Sequence, residues 1–303
     1  MSRFTGFRRF VVGVDEKGLA DHAVHAACRI ASHFGARLEL VHAVPVPPAM
    51  WIGIDREELA RIHDAALERA KERLRGRLVE LERKFGFEAG ELSEHLRVLP
   101  GKPANVLLER AERGPADVVV LGPHERHGLL DFGSTARGVL HRARCGLWVQ
   151  PGEYRTVERI LAPVDLSDLS LAALRSARAV AQKLEAELEV LHCMPPPDLG
   201  FVRADTVEAG WPTYYVDQLR DESRREFERA MAAFDWQGVQ HEDVFIEGDA
   251  EEEILARQED CQLVVMGTHG RTGLRGALLG NVTYTVMRRA KTPVLAYRDP
   301  GLG

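Results

Sequence analysis

Short apolar runs alternate with long amphipathic segments along the whole chain. The runs are rich in β-branched residues, and the segments at 20–34 and 169–184 carry Ala, Leu, Val and Ile at helical spacing. This alternation is typical of a parallel sheet that is covered by helices on both faces. The predicted strands lie near 9–15, 37–44, 94–99, 117–122, 146–150, 158–165, 187–193, 240–246, 262–267 and 293–298.

The predicted elements form two copies of one pattern. Phe10–Asp15 aligns with Ile160–Asp165, and Arg37–His42 aligns with Glu187–His192, both at an offset of 150 positions. An offset of half the 303-residue chain indicates tandem domains, because solenoid repeats are only about 20–50 residues long. We therefore predict two tandem α/β domains, each a doubly wound, Rossmann-like parallel sheet of five strands with four helices, related by a pseudo-two-fold axis.

The boundary between the copies is predicted near Pro151–Tyr154, which gives domains of residues 1–151 and 152–303. No long Ser/Gly linker separates the halves, so we expect the two domains to pack against each other. Either Ser167 or Asp168 is expected to cap the first helix of the second copy.

Two inserts differ between the copies. In the first copy, 55–85 reads as one long helix or two, and five apolar side chains are predicted to face inward: Leu59, Ile62, Ala66, Ala70 and Leu74. The counterpart, 195–235, is predicted to be irregular through the aromatic stretch Trp211–Tyr215 and helical over Val216–Phe234. The irregular part either packs on the surface or covers a ligand.

Composition excludes several functional classes. The formal net charge is −6, and the arginines of 69–77 are interleaved with acids as on a solvated helix, so no nucleic-acid partner is expected. No apolar run of about 18 residues and no signal-peptide core are present, which predicts a cytosolic protein without a membrane partner. The four cysteines are widely scattered and are expected to be reduced, buried thiols.

A glycine-rich segment, Met266–Thr283, follows an apolar run and precedes a helix. Glycines let the main chain approach an anion closely, and the amides at a helix start attract it. Ligands of open α/β sheets lie at the carboxyl ends of the strands, where 163–165, 190–192 and 266–267 are predicted to converge. The segment therefore predicts a phosphate site, although glycine loops also serve as simple turns.

These residues resemble the universal stress protein family. The resemblance rests on Gly267-x2-Gly270-x9-Gly280, on the following Asn281-Val282-Thr283, and on the opening Ile160–Ser167 and closing Ala290–Leu295 segments, and it extends to both halves. In ATP-binding members the loop holds the phosphates and ribose, and the Asp that ends the first strand contacts the nucleoside. The resemblance thus implies ATP, with magnesium on its phosphates, bound by Pro163, Val164, Asp165, Leu191, Met266, Gly267, His269, Gly270, Gly280, Asn281, Val282 and Thr283.

Two departures from the family pattern change this expectation. Asn281 stands where the family usually has Ser or Thr. We expect the contact to be weakened there but not lost, because Asn keeps a donor. The first copy places Glu125 at the position of Gly270 and is two residues shorter. A carboxylate repels a triphosphate, so the first domain is predicted to be structural or to hold another ligand. Asp15 is accordingly expected to cap its turn, and Asp165 to contact ligand.

A metal site is the alternative for the first copy. His124 and His127, with His42, Asp15 and Glu125, form a mixed nitrogen and oxygen set that suits zinc. Loop histidines are more often solvated, and no firm ligand spacing is present, so no metal is predicted.

Three functions remain open from the sequence. The first is an ATP-binding regulator or sensor of the stress response. The second is a slow ATPase in which Asp165 or His269 handles a proton, although no Walker-type motif is present. The third is a ligand-free scaffold that pairs through its last strands, 145–150 and 293–298. Those apolar strands need covering, and we expect them to pair within one chain, with a homodimer of chains as a further option.

Overall fold

A computed structural model describes residues 6–45, 56–114, 116–123, 133–195, 213–268 and 280–298. The chain divides into two compact units, one of residues 1–155 with 293–303 and one of residues 156–292. Each unit alternates strands and helices, and the predicted α/β class is confirmed.

The first unit contains a mostly parallel sheet. Its strands are β1 (Arg9–Gly13), β2 (Arg37–Val44), β3 (Leu96–Pro100), β4 (Val118–Leu121), β5 (Gly146–Val149) and β10 (Val294–Tyr297). Its helices are α1 (Asp21–Phe34), α2 (Arg56–Phe85), α3 (Glu91–Glu94), α4 (Pro103–Arg113) and α5 (Ser134–Arg142). The strand order is β3-β2-β1-β4-β5-β10, and β10 runs antiparallel to β5 with Leu295 opposite Trp148.

The second unit repeats the four-stranded parallel part of this arrangement. Its strands are β6 (Arg159–Pro163), β7 (Glu187–Met194), β8 (His241–Glu247) and β9 (Leu263–Gly267). Its helices are α6 (Asp168–Leu184), α7 (Thr213–Ala232), α8 (Ala250–Arg257) and α9 (Asn281–Arg289). The order β9-β6-β7-β8 is all parallel and matches β4-β1-β2-β3 of the first unit.

All ten predicted strands are present, each within two residues of its predicted ends. Every residue of β4 and β9 is buried, because a parallel strand with helices on both faces has no solvated side. The predicted pairing of the last strands is also confirmed, since β5 and β10 hydrogen-bond to each other.

The structure decides the open question about the start of α6. Ser167 is the N-cap, and its hydroxyl oxygen accepts a hydrogen bond from the Ser170 amide at 3.2 Å, while Asp168 is the first helical residue. A side-chain oxygen at this position satisfies an amide that the helix itself leaves without a partner.

Two predictions about the inserts are corrected. Residues 56–85 form one helix, and Ala70 and Leu74 are buried as predicted, but Ile62 is 45% exposed and Leu59 and Ala66 are only half-buried. None of the side chains at 57–69 is buried, and burial along α2 begins at Ala70. Helical spacing predicts an apolar face but not the surface that would cover it.

The second correction concerns the start of α7. The helix begins at Thr213, so Thr213–Tyr215 are helical and not irregular as predicted. Trp211 and Pro212 lie outside the described residues. The first unit also contains the one-turn helix α3, which the predicted count of four helices omitted.

The cysteines are free thiols, as expected. Cys261 is buried, whereas Cys28, Cys145 and Cys193 are half-buried, so the expectation of full burial holds for one of them. Desolvation raises the pKa of Cys28 and Cys193 to about 12, which keeps these thiols protonated and unreactive at neutral pH. Among the residues that the structure describes, no helix is both long and apolar enough to span a bilayer.

Candidate functional site

The carboxyl ends of β6, β7 and β9 meet at one edge of the second unit. Pro163 pairs with Leu191, and the Val164 amide donates to the Leu191 carbonyl at 2.8 Å. Leu161 pairs with Val264, so Val164 and Gly267, each three residues further along, reach the same level. The structure thus brings together the strand-end residues that the sequence predicted to converge.

Three buried apolar residues lie at these strand ends, and together they are called the apolar floor here. Val164 is 6% exposed, Leu191 is 1% exposed and Met266 is 4% exposed.

Asp165 follows the floor directly and shapes the next turn. Its Oδ1 accepts hydrogen bonds from the Ser167 amide at 3.0 Å and the Ser167 hydroxyl at 2.6 Å. The residue between them, Leu166, has a φ of 63°, a left-handed conformation that is unusual for a side chain of this size. The predicted ligand contact of Asp165 stays a prediction.

Asp15 occupies the same position in the first unit. Its carboxylate accepts from the amides of Lys17 at 2.7 Å, Leu19 at 3.2 Å and Ala20 at 2.7 Å. The predicted capping role of Asp15 is therefore confirmed.

The glycine loop is closed at its base by two hydrogen bonds. The Gly280 amide donates to the Thr268 carbonyl at 2.8 Å, and the Thr283 hydroxyl donates to the Gly267 carbonyl at 2.7 Å. These bonds hold the start of α9 against the end of β9. His269 and Gly270, two of the predicted site residues, lie outside the described residues.

Helix α9 begins immediately after this closure, with Gly280 as its N-cap. The first intrahelical bond runs from the Tyr284 amide to the Gly280 carbonyl at 3.0 Å. The amides of Asn281, Val282 and Thr283 therefore precede the helical hydrogen-bond ladder and carry the partial positive charge of the helix start. The Thr283 hydroxyl donates its proton to Gly267, so in this arrangement Thr283 offers a ligand its amide.

Sequence reasoning missed the role of His192. Its Nδ1 donates to the Val164 carbonyl at 2.8 Å, and its ring stacks on Phe227 with centroids 5.4 Å apart. A signal was present in the repeat, because His42 aligns with His192 and donates to the Val14 carbonyl at 2.8 Å.

The zinc alternative is partly outside the described residues, where His124, Glu125 and His127 lie. The two described members, Asp15 and His42, are both engaged by the main chain. In the ranges that the structure covers, no group of three or more His, Cys, Asp or Glu side chains is arranged to hold a metal ion.

Both halves of the chain match the same protein family. The model of the universal stress protein family matches residues 6–151 and again residues 156–298. A universal stress protein of Mycobacterium tuberculosis (strain ATCC 25618 / H37Rv) is 27% identical over 308 residues, which cover 95% of this chain and 96% of that protein.

Solved structures share the fold. A universal stress protein from Archaeoglobus fulgidus is 17% identical, covers 96% of this chain and 98% of that chain, and superposes with a TM-score of 0.64. A universal stress protein solved in complex with cAMP is 24% identical and covers 48% of this chain and 98% of that chain, with a TM-score of 0.31.

Proposed function

Because the chain belongs to the universal stress protein family, we propose that its second domain binds one adenine nucleotide, ATP with magnesium. Binding would make the protein a nucleotide-dependent regulator or sensor in the stress response. The site would consist of the predicted residues between Pro163 and Thr283, and the domains would be residues 1–151 and 152–303. Four free cysteines fit a reducing compartment such as the cytosol.

The observation that carries the proposal is the start of α9. Three successive amides, of Asn281, Val282 and Thr283, precede the first intrahelical hydrogen bond and follow a glycine loop that is pinned at Thr268 and Gly280. Amides in this position bind phosphate oxygens through direct hydrogen bonds and through the helix dipole.

The strand ends supply the complementary part of a nucleotide site. Val164, Leu191 and Met266 are apolar residues at these ends and would contact the base. Asp165 begins the turn beside them and supplies a carboxylate that accepts hydrogen bonds from ribose or base donors. Apolar contact for the base, an acceptor for the sugar and donors for the phosphates are the three features that an adenine nucleotide requires.

Magnesium would neutralise part of the triphosphate charge. This ion keeps several of its waters and takes its remaining ligands from phosphate oxygens, so it needs few protein ligands.

Regulation follows from linkage between binding and folding. A ligand that binds only the folded state stabilises it by about 2.7 kcal/mol at a concentration 100 times its Kd. The nucleotide would contact the loop and the adjoining turn, and a partner that recognises them would respond to ATP concentration.

Replacement of Asn281 by proline tests the proposal. Proline removes the first amide of α9 but is well tolerated at the first position of a helix. Gly280 has a ψ of 140°, the extended conformation that a residue before proline requires. We expect Asn281→Pro to weaken ATP binding about tenfold or more, because a hydrogen bond to a charged group contributes about 1.5–3 kcal/mol. Isothermal titration calorimetry with MgATP measures the change.

The first domain offers a matched control. Ser134 begins α5 after Gly133, whose ψ is 132°, so Ser134→Pro makes the same change in the copy predicted not to bind ATP. We expect one site per chain, unaltered affinity in Ser134→Pro, and melting temperatures of both ligand-free variants near that of the wild type. Equal affinity in wild type and Asn281→Pro, or no binding by the wild type, would contradict the proposal.

A further inference from the structure

His192 lies at the end of β7, beside the floor of the proposed nucleotide site. It is 6% exposed and packs between Phe227, at a centroid distance of 5.4 Å, and Phe245, at 5.7 Å. A buried imidazole requires partners for its ring nitrogens, and the partner of Nδ1 is the Val164 carbonyl at 2.8 Å.

The proton in this hydrogen bond is on the histidine. A carbonyl oxygen only accepts, so Nδ1 carries the hydrogen, and Nε2 faces the Ser223 hydroxyl at 3.5 Å. The ring is thereby fixed in one orientation by β6 on one side and α7 on the other.

Val164 is held at both of its polar atoms by two consecutive residues of β7. Its amide donates to the Leu191 carbonyl at 2.8 Å, and its carbonyl accepts from His192. The regular ladder of β6 ends at Pro163, so the bond from His192 takes over where strand pairing stops. The peptide that it orients joins Val164 to Asp165.

We propose that His192 is a positioning residue for the nucleotide site. It acts through the Val164 carbonyl to set the direction of the Asp165 side chain and the position of Val164 in the apolar floor. The proposal rests on the proposed function of the second domain. His192 acts on the site only through the main chain of Val164 and is not a ligand of the nucleotide.

The first unit has an equivalent hydrogen bond from a strand-end histidine to a main-chain carbonyl, here called the histidine clamp, but its histidine has charged neighbours. His42 donates to the Val14 carbonyl at 2.8 Å, but its Nε2 lies 3.6 Å from a carboxylate oxygen of Glu16. Arg73 holds that carboxylate through Nε at 2.6 Å. His42 therefore gives a control for the general effect of losing the clamp in a domain that is not predicted to bind ATP.

Two substitutions separate positioning from packing. His192→Asn keeps a donor near the position of Nδ1 but removes most of the ring between Phe227 and Phe245. His192→Phe keeps the ring and removes the donor. If the hydrogen bond positions the site, Asn should retain affinity for MgATP within about threefold, whereas Phe should lose about tenfold or more, as when other orienting partners are removed.

The readout is the Kd for MgATP from calorimetry, set beside the melting temperature of each ligand-free variant. A purely structural role would make affinity follow melting temperature, so that the more destabilised variant binds more weakly. The proposal instead predicts that affinity follows the presence of the donor, even if His192→Asn melts at the lower temperature, and that His42→Phe binds as the wild type does.

The outcomes distinguish this inference from the function it rests on. Wild-type affinity in His192→Phe, or losses that parallel the melting temperatures, would overturn the positioning role and leave nucleotide binding intact. No binding of MgATP by the wild type would reject the proposed function and the positioning role with it.

Discussion

Glu189 lies in the middle of β7 with its carboxylate between two arginines. It is 3% exposed, and its oxygens are 2.7 Å from the Arg159 guanidinium and 2.8 Å from that of Arg257. Glu39 of β2 has the same arrangement with Arg9 and Arg110. A buried carboxylate is tolerated only when it is paired in this way.

Removal of the Glu189 charge should destabilise the second unit. Glu189→Gln leaves two guanidinium groups with a weaker partner, and we expect the free energy of unfolding to fall by about 2–3 kcal/mol, below the fully buried range because each arginine is a third exposed. Urea denaturation measures the change.

Glu242 supplies the control for that substitution. It is also 2.7 Å from Arg159, but its side chain is 62% exposed. Glu242→Gln should change the free energy of unfolding by less than about 1 kcal/mol, because solvent screens an exposed pair. Equal losses in the two variants would show that burial of the carboxylate does not determine how much the ion pair contributes to the free energy of unfolding.

Individual residues also show how far sequence reasoning reaches. The strand-end positions of Val164 and Leu191 followed from the periodicity alone, and the capping role of Asp15 followed from turn chemistry. The buried pairing of Glu189 did not, because an isolated Glu in a strand resembles a solvated residue until its partners in distant elements are known. The bond from His192 to Val164 is hidden for the same reason.

Helix ends differ between the two copies. Helix α1 is followed by Gly35 in the left-handed conformation, with a φ of 62°, whereas α6 is followed by Glu185 with a φ of 57°. This conformation has no cost for glycine but costs about 1 kcal/mol or more for a residue with a Cβ atom.

The two ends therefore predict opposite effects of exchanging these residues. Glu185→Gly should raise the free energy of unfolding by up to about 1 kcal/mol, and Gly35→Ala should lower it by about 1 kcal/mol. No atom lies within 4 Å of a Cβ added at Gly35, so the loss would reflect backbone conformation and not a clash. Thermal unfolding of both variants checks the signs, and a loss in both would contradict this explanation.

Elements were predictable where one rule decides their environment. Inner strands such as β4 and β9 are buried apolar runs between helices. The edge strand β8 has no buried residue, and it was predicted from its place in the alternation of strands and helices. Helix α2 was harder, because the spacing of Leu59, Ile62 and Ala66 predicts a face without saying whether another element covers it. The start of α7 was missed because Thr213, Tyr214 and Tyr215 have no strong helical preference of their own.

At the scale of the molecule, the chain contains two copies of one domain whose sequences differ in the loop before the last helix of each copy. Both copies keep the strand-end aspartate, the histidine clamp and the buried Arg-Glu-Arg group. The fold is preserved by these shared features, while function would be assigned by the loop before the last helix of each copy. The fold was predicted from the sequence, which also contains the glycine pattern. The two hydrogen bonds that close the base of the loop became visible only in the structure.

Hydrogen–deuterium exchange can show whether ATP binds at the start of α9. Amides at a helix start exchange quickly because the helix gives them no partner, and a bound phosphate slows them. Addition of MgATP should slow exchange at the amides of 281–283 and leave the corresponding amides of 134–136 in α5 unchanged. Unchanged exchange at 281–283 with saturating MgATP, or equal slowing in both helices, would contradict the account.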